Sequence, residues 1–164
     1  MSANRLIEIT KRTAKVTNLN AKPERHGDEN EKRVDLSLAI VVNDHELDPI
    51  VRTRWEDASK VLWDEKGEPQ FLDIDEFAVD RSIEGEVTLG LHNAKKTRVV
   101  PATMKKLRLR PMLGREAELA FQVRFDPSGF ADELLDMQAD EQCQFAFVAA
   151  DKPKAETEQQ QQLV

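Results

Sequence analysis

Residues 95–115, KKTRVVPATMKKLRLRPMLGR, hold eight cations and no carboxylate: Lys95, Lys96, Arg98, Lys105, Lys106, Arg108, Arg110 and Arg115. Ammonium and guanidinium groups at this density can neutralise phosphates and release their counterions, which is the chemistry of a salt-dependent grip on nucleic acid. The rest of the chain has the opposite sign. It carries 24 basic and 31 acidic residues in all, a net charge of −7, so without these eight it holds 16 against 31, or −15. A basic strip on an otherwise acidic protein is the pattern of a local anion-binding surface. Single-stranded DNA is the first ligand to consider. No aromatic residue interrupts 87–115, so the grip would fall on the backbone, and any base stacking would come from elsewhere.

Strand register offers a competing use for the same cations. KLRLRPMLGREAELAF reads as a hairpin, and Leu107 and Leu109 share a face with Leu119 and Phe121 if paired residue numbers sum to an even value. The simplest solution places Arg110 opposite Glu116 and Arg108 opposite Glu118, with 111–115 as the loop. Each such pair contributes about 0.2–1 kcal/mol and removes one arginine from service to a ligand. Lys106 then lies opposite Ala120, Lys105 alternates toward the core, and Lys95, Lys96 and Arg98 have no assigned partner. The ligand-binding reading therefore requires the charges around Lys95–Lys106 to point outward as a group.

Other chemistry is sparse. His26, His45 and His92 stand apart from one another and from any cysteine at ligand spacing, and they read as solvated residues of loops and a turn. DIDEFAVD brings Asp73, Asp75, Glu76 and Asp80 together, but without calcium-loop spacing or its glycine, so it reads as an acidic connector. Cys143, the single cysteine, falls on the inward phase of QCQFAFV and reads as a small buried hydrophobe. There is no glycine-rich phosphate loop and no nucleophile elbow. These readings predict a non-enzymatic protein without cofactor or metal. Trp55 lies on the apolar stripe of a helix and reads as an anchor, whereas Trp63 lies off that stripe and is left to face a partner.

The elements that would carry these residues are mainly strands. In VDLSLAIVV, residues Val34, Leu36, Leu38, Ile40 and Val42 share one face; Ile83, Val87, Leu89 and Leu91 do so in SIEGEVTLGLH, and Leu119, Phe121, Val123 and Phe125 in EAELAFQVRFD. Weaker strands are expected over 11–19, 95–100 and 104–110, the last two separated around Pro101, and a final one over 142–150. Residues 20–32 read as a long surface loop. Helical spacing of Val51, Trp55, Ala58 and Leu62 predicts a helix over 49–65, with Asp48 as cap, Pro49 in its first turn and Gly67 after its end. FADELLDMQ reads as a short helix. The sum is an α+β fold, mainly β, either an antiparallel sandwich or an OB-like barrel. A single β-rich domain over 1–150 and a disordered tail over 151–164 are expected. No apolar run approaches a membrane span, no apolar signal region opens the chain, and a lone cysteine suits a reducing compartment, so the cytoplasm is the expected location.

AKVTNLNAKPERHGDENEKRVDLSLAIVVND resembles the opening of a family of small uncharacterised proteins of tailed phages and prophages of proteobacteria, and LRLRPMLGREAELAFQVRFDP resembles the strand pair near that family's C-terminal end. The resemblance implies an accessory protein made inside a bacterium and brings no catalytic residues. Three roles fit: a nucleic-acid-binding module using the basic edge, an acidic decoy that engages a host protein (counter-defence), or a virion or assembly component that forms homo-oligomers.

Overall fold

The alternation in VDLSLAIVV becomes a half-buried strand with all five of its apolar residues in the core. A computed structural model describes residues 7–26, 29–51, 55–70 and 77–150, with the side chains of 22–32 and 55 outside the description. It contains β1 (Glu8–His26), β2 (Glu29–Asn43), α1 (Asp44–Val51), α2 (Trp55–Leu62), β3 (Phe77–Val79), β4 (Ile83–Leu91), β5 (Arg98–Met112), β6 (Glu116–Phe125), α3 (Ala131–Asp140) and β7 (Gln142–Ala149). Six strands pair in the order β1–β2–β6–β5–β4–β7, and β7 pairs again with β1, so the sheet closes into an antiparallel barrel. β3 adds a seventh strand against residues 107–109 of β5. Of the two expected architectures, the barrel is the one formed. The reason is that β5 is long enough to pair with β4 through Met104 and with β6 from Thr103 onward, which leaves no open edge to divide two sheets.

Inward residues from all six strands fill the barrel, including Phe121 and Phe145, whose rings lie 5.2 Å apart. α1 and α2 close the end where β2 meets Glu116, through Leu47, Ile50, Leu62 and Trp63; α3 closes the other end through Leu134 and Met137. Gly85 is required where β4 crosses β7, since a Cβ there would lie 2.2 Å from the Val148 carbonyl oxygen. No helix among the described residues is long and apolar enough to cross a membrane.

Several expectations are corrected. Residues 20–32 are not a loop: the β1–β2 ladder continues through Asn20↔Asp35 to His26↔Glu29, and beyond Val34↔Phe125 the two strands pair only with each other as a projecting arm. The helix expected over 49–65 is two short helices, and the first begins five residues earlier. Asn43 Oδ1 accepts from the Glu46 N–H at 2.8 Å, and Glu46 Oε1 accepts from the Asn43 N–H at 3.2 Å, a reciprocal cap that starts α1 at Asp44 and places Pro49 inside it. His45 therefore lies in a helix. The strands expected at 95–100 and 104–110 are one, because Pro101 pairs only with Glu86 and lies beyond the end of the β6 ladder, where no second partner needs its missing N–H. The predicted short helix and the strand from 142 are present as α3 and β7, and Cys143 is buried. The anchor role of Trp55, the carboxylates Asp73, Asp75 and Glu76, and the tail 151–164 lie outside the described residues.

Candidate nucleic-acid interface

The β5–β6 hairpin has the even-sum register, displaced by two residues: Arg110 faces Glu118 and Arg108 faces Ala120, while Met112 faces Glu116. The turn is tighter than expected because Gly114 and Arg115 take successive left-handed conformations, with φ of 81° and 59°. Gly114 donates its N–H to Gly67 O at 2.9 Å, and the Trp63 indole donates to Met112 O at 2.7 Å, so the hairpin is fixed to the α2 end of the barrel. Trp63 is 1% exposed. Its assignment to a partner is thus corrected: it is a core residue that docks the hairpin, and the bond from its N–H to Ser59 O continues the turn of α2, so that it shares a buried face with Ser59 and Leu62.

Between Met104 and Leu107, both buried, β5 carries one extra residue. Lys105 and Lys106 consequently lie on the same outer side instead of alternating, and Lys106 adopts φ 54°, a conformation a lysine seldom takes. Lys105 Nζ lies 3.5 Å from Asp35 Oδ2. Asp35 also binds the Arg124 guanidinium in a two-point contact, Nε to Oδ1 at 2.8 Å and Nη2 to Oδ2 at 3.1 Å. Asp35 faces outward from β2 as its phase requires, yet it is 2% exposed because these two cations cover it. Burial lowers the pKa of Lys105; nearby Asp35 opposes that, and the positive charges of Arg124 and Lys106 add to it.

From the bulge the outward positions of β5 continue as Lys106, Arg108 and Arg110, all exposed. Arg108 is exposed, in register with Ala78 of β3 and Ala120 of β6. Arg110 Nη2 meets Glu118 Oε1 at 2.8 Å, a surface pair worth about 0.2–1 kcal/mol. At the bulge, β5 changes neighbours from β4 to β3, and the linker between those strands opens a cleft of about 530 Å³ lined by Val79, Asp80, Arg81, Ser82, Lys105 and Lys106. Arg81 donates to the Pro49 and Ile50 carbonyls at 2.8 and 3.0 Å, closing the C-terminal end of α1. A second cavity, about 320 Å³, lies where β1 and β2 part below Lys15↔Ala39, lined largely by backbone with Glu118, Glu141 and Lys15.

The remaining cations of the strip are elsewhere. Lys95 and Lys96 are exposed in the β4–β5 turn at the α3 end. Arg98 Nε and Nη2 both donate to Glu133 Oε1, at 3.0 and 2.9 Å, and its guanidinium lies 5.4 Å from the centre of the Phe130 ring. That hydrogen bond raises its pKa. Seven steps of strand separate Arg98 from Lys105, about 23 Å at the rise of an extended chain, and Lys95 and Lys96 lie in the turn before Arg98. The expected continuous edge over Lys95–Lys106 is therefore corrected. The strip divides into Lys95, Lys96 and Arg98 at the α3 end, where Arg98 is paired with Glu133, and an outward group on β5, Lys105, Lys106, Arg108 and Arg110, in which Lys105 meets Asp35 and Arg110 meets Glu118, with Arg115 in the adjoining turn.

Comparisons of the chain with protein-family models, curated proteins and solved structures return no match in any of the three. What the stripe can bind rests on its own geometry. Sequence reading missed Arg81, hidden behind the acidic run DIDEFAVD, and missed the convergence of Asp35 and Arg124, which are 89 residues apart. A signal for the bulge was present, since the apolar phase changes from even at Met104 to odd at Leu107 and Leu109.

Proposed function

We propose that this protein is a non-enzymatic nucleic-acid-binding module that holds the backbone of single-stranded DNA along the outer side of β5. The supporting observation is the row Lys106, Arg108 and Arg110, spaced two residues apart and exposed on the outer side of one strand. Such a row presents a cation about every 6.6–6.8 Å, with Lys105 alongside it. In keeping with the family resemblance, the module acts as a phage-type accessory protein in the bacterial cytoplasm. Without aromatic residues in the row, affinity comes from phosphate neutralisation, and it falls steeply with salt.

Fluorescence anisotropy with a labelled single-stranded oligonucleotide tests this. Binding at about 50 mM salt should weaken with a log–log slope near −2 to −3, about −0.7 per phosphate contacted over three to four contacts. The pair Lys106→Glu and Arg108→Glu should abolish binding, whereas Lys95→Glu with Lys96→Glu should change it less than about twofold, since those lysines lie more than a Debye length away. Absence of binding at this salt, or equal loss in the two double variants, overturns the reading.

The outer side of α3 supports a second reading, the acidic decoy. Asp132, Asp136, Asp140 and Glu141 are exposed there around Leu135, which is 58% exposed. A host protein captured from bacterial lysate by the native chain and lost with Leu135→Glu and Asp136→Lys would favour it; equal recovery would dismiss it.

A further inference from the structure

The bulge in β5 does something an ordinary strand cannot. Successive side chains of a strand point to opposite faces, so two consecutive lysines would place one ammonium group outside and one toward the core. Here Met104 and Leu107 are both buried, and Lys105 and Lys106 share the outer side at the rim of the 530 Å³ cleft. The arrangement carries costs. Lys106 holds a left-handed backbone conformation, and burial lowers the pKa of Lys105, with a small further push from the neighbouring Lys106 ammonium. Asp35 offsets part of this at Lys105 from 3.5 Å while also holding Arg124 through both of its oxygens, so one carboxylate serves two cations beside the cleft. Across the cleft, the linker contributes Ser82, whose hydroxyl is a neutral donor, together with Arg81 and Asp80, which cancel in charge.

We infer that this cleft is a site for one phosphate monoester, held between the ammonium groups of Lys105 and Lys106 with Ser82 opposite. A monoester carries about −1.5 to −2 at pH 7 and offers three acceptor oxygens, against one charge on a backbone diester, so it matches two adjacent cations. In terms of the nucleic-acid reading, on which this part rests, the cleft lies where the outward row of β5 ends. It would therefore take the terminal phosphate of a bound strand while Arg108 and Arg110 take the diesters that follow. A free phosphate monoester has the same chemistry and is the other possible source.

Two measurements on the full chain separate these. The first compares anisotropy of one oligonucleotide carrying a 5′-phosphate, a 3′-phosphate or neither, at about 50 mM salt. One phosphorylated end should bind about fivefold or more tightly than the unphosphorylated strand, a factor in the range of charge-assisted contacts. Lys106→Gln, an exposed substitution that leaves the core intact, should reduce that preference below about twofold, as should Lys105→Gln. The second follows backbone amide resonances of residues 80–82 and 105–106 while inorganic phosphate is added. Shifts there that are absent in Lys106→Gln support the site, and without an end preference they identify its ligand as free phosphate. Equal affinity for all three oligonucleotides together with unmoved resonances overturns the inference and leaves backbone binding by β5 standing. Phosphate shifts without any oligonucleotide binding do the reverse.

Discussion

Asp35 is the residue on which the outer surface near the bulge depends. It is almost fully buried beneath Arg124 and Lys105, so its carboxylate is the counter-charge for both. Asp35→Asn should lower stability by about 2–3 kcal/mol, below the 3–5 kcal/mol of a wholly buried pair because the Arg124 side chain is about a third exposed; the urea midpoint measures it. The lysine has a pH signature of its own. Because burial lowers the Lys105 pKa, the native state releases this proton at lower pH than the unfolded chain, which holds it up to 10.5. Between those two values the unfolded state binds more protons, so this group makes the fold more stable as pH rises, and its cost is fully present at lower pH. Urea midpoints followed toward pH 10.5 should rise less in Lys105→Met than in the native chain. Cys143 behaves oppositely to a reactive thiol: burial pushes its pKa up to about 12. A disulfide reagent at pH 8 should leave it unmodified in the folded protein and modify it promptly in urea. Rapid modification in the native state would show that β7 opens away from its neighbours.

Among the elements, the legible ones were those in which one face is fully buried. The apolar phases of β2, β4 and β6 name the core residues correctly because closure of the barrel encloses every inward side chain. What sequence could not place was set by partners distant in the chain. The β1–β2 arm reads as a loop because its residues are polar, yet each strand of it finds its hydrogen bonds in the other. The start of α1 was written in Asn43 and Glu46, a spacing eclipsed by the more conspicuous Asp48–Pro49. Two glycines separate the effects that shape these elements. Gly85→Ala would place a methyl group 2.2 Å from a β7 carbonyl oxygen and force β4 from β7, so its thermal midpoint should fall drastically or the chain should fail to fold. Gly114→Ala has open space around it and meets only the penalty of φ 81°, about 1–2 kcal/mol. A milder loss at Gly85 than at Gly114 would contradict the close approach of these strands.

At the scale of the molecule, a net charge of −7 conceals a division. The eight-cation strip is a single feature in sequence and two in space, because a strand carries its residues from one end of a barrel to the other. Composition alone could identify the surplus but not its placement. That depended on Glu133 taking Arg98 at the α3 end and on the bulge turning Lys105 outward at the other. The functional proposal narrows accordingly to half of β5, and the variants that test it, reversing Lys95 and Lys96 against Lys106 and Arg108, compare the two ends of the same strand.

The ring order also bears on how the chain reaches this structure. β1 is bonded on one side by β7, the last of the described strands, and β7 bridges β1 to β4. While a ribosome is still synthesising the chain, the first and fourth strands therefore expose bare edges with no native partner in existence. The β1–β2 arm and the β4–β5–β6 meander can assemble early from near neighbours, but enclosure must wait for residues 142–149. Until that strand arrives, the free edges of β1 and β4 are open to misplaced pairing.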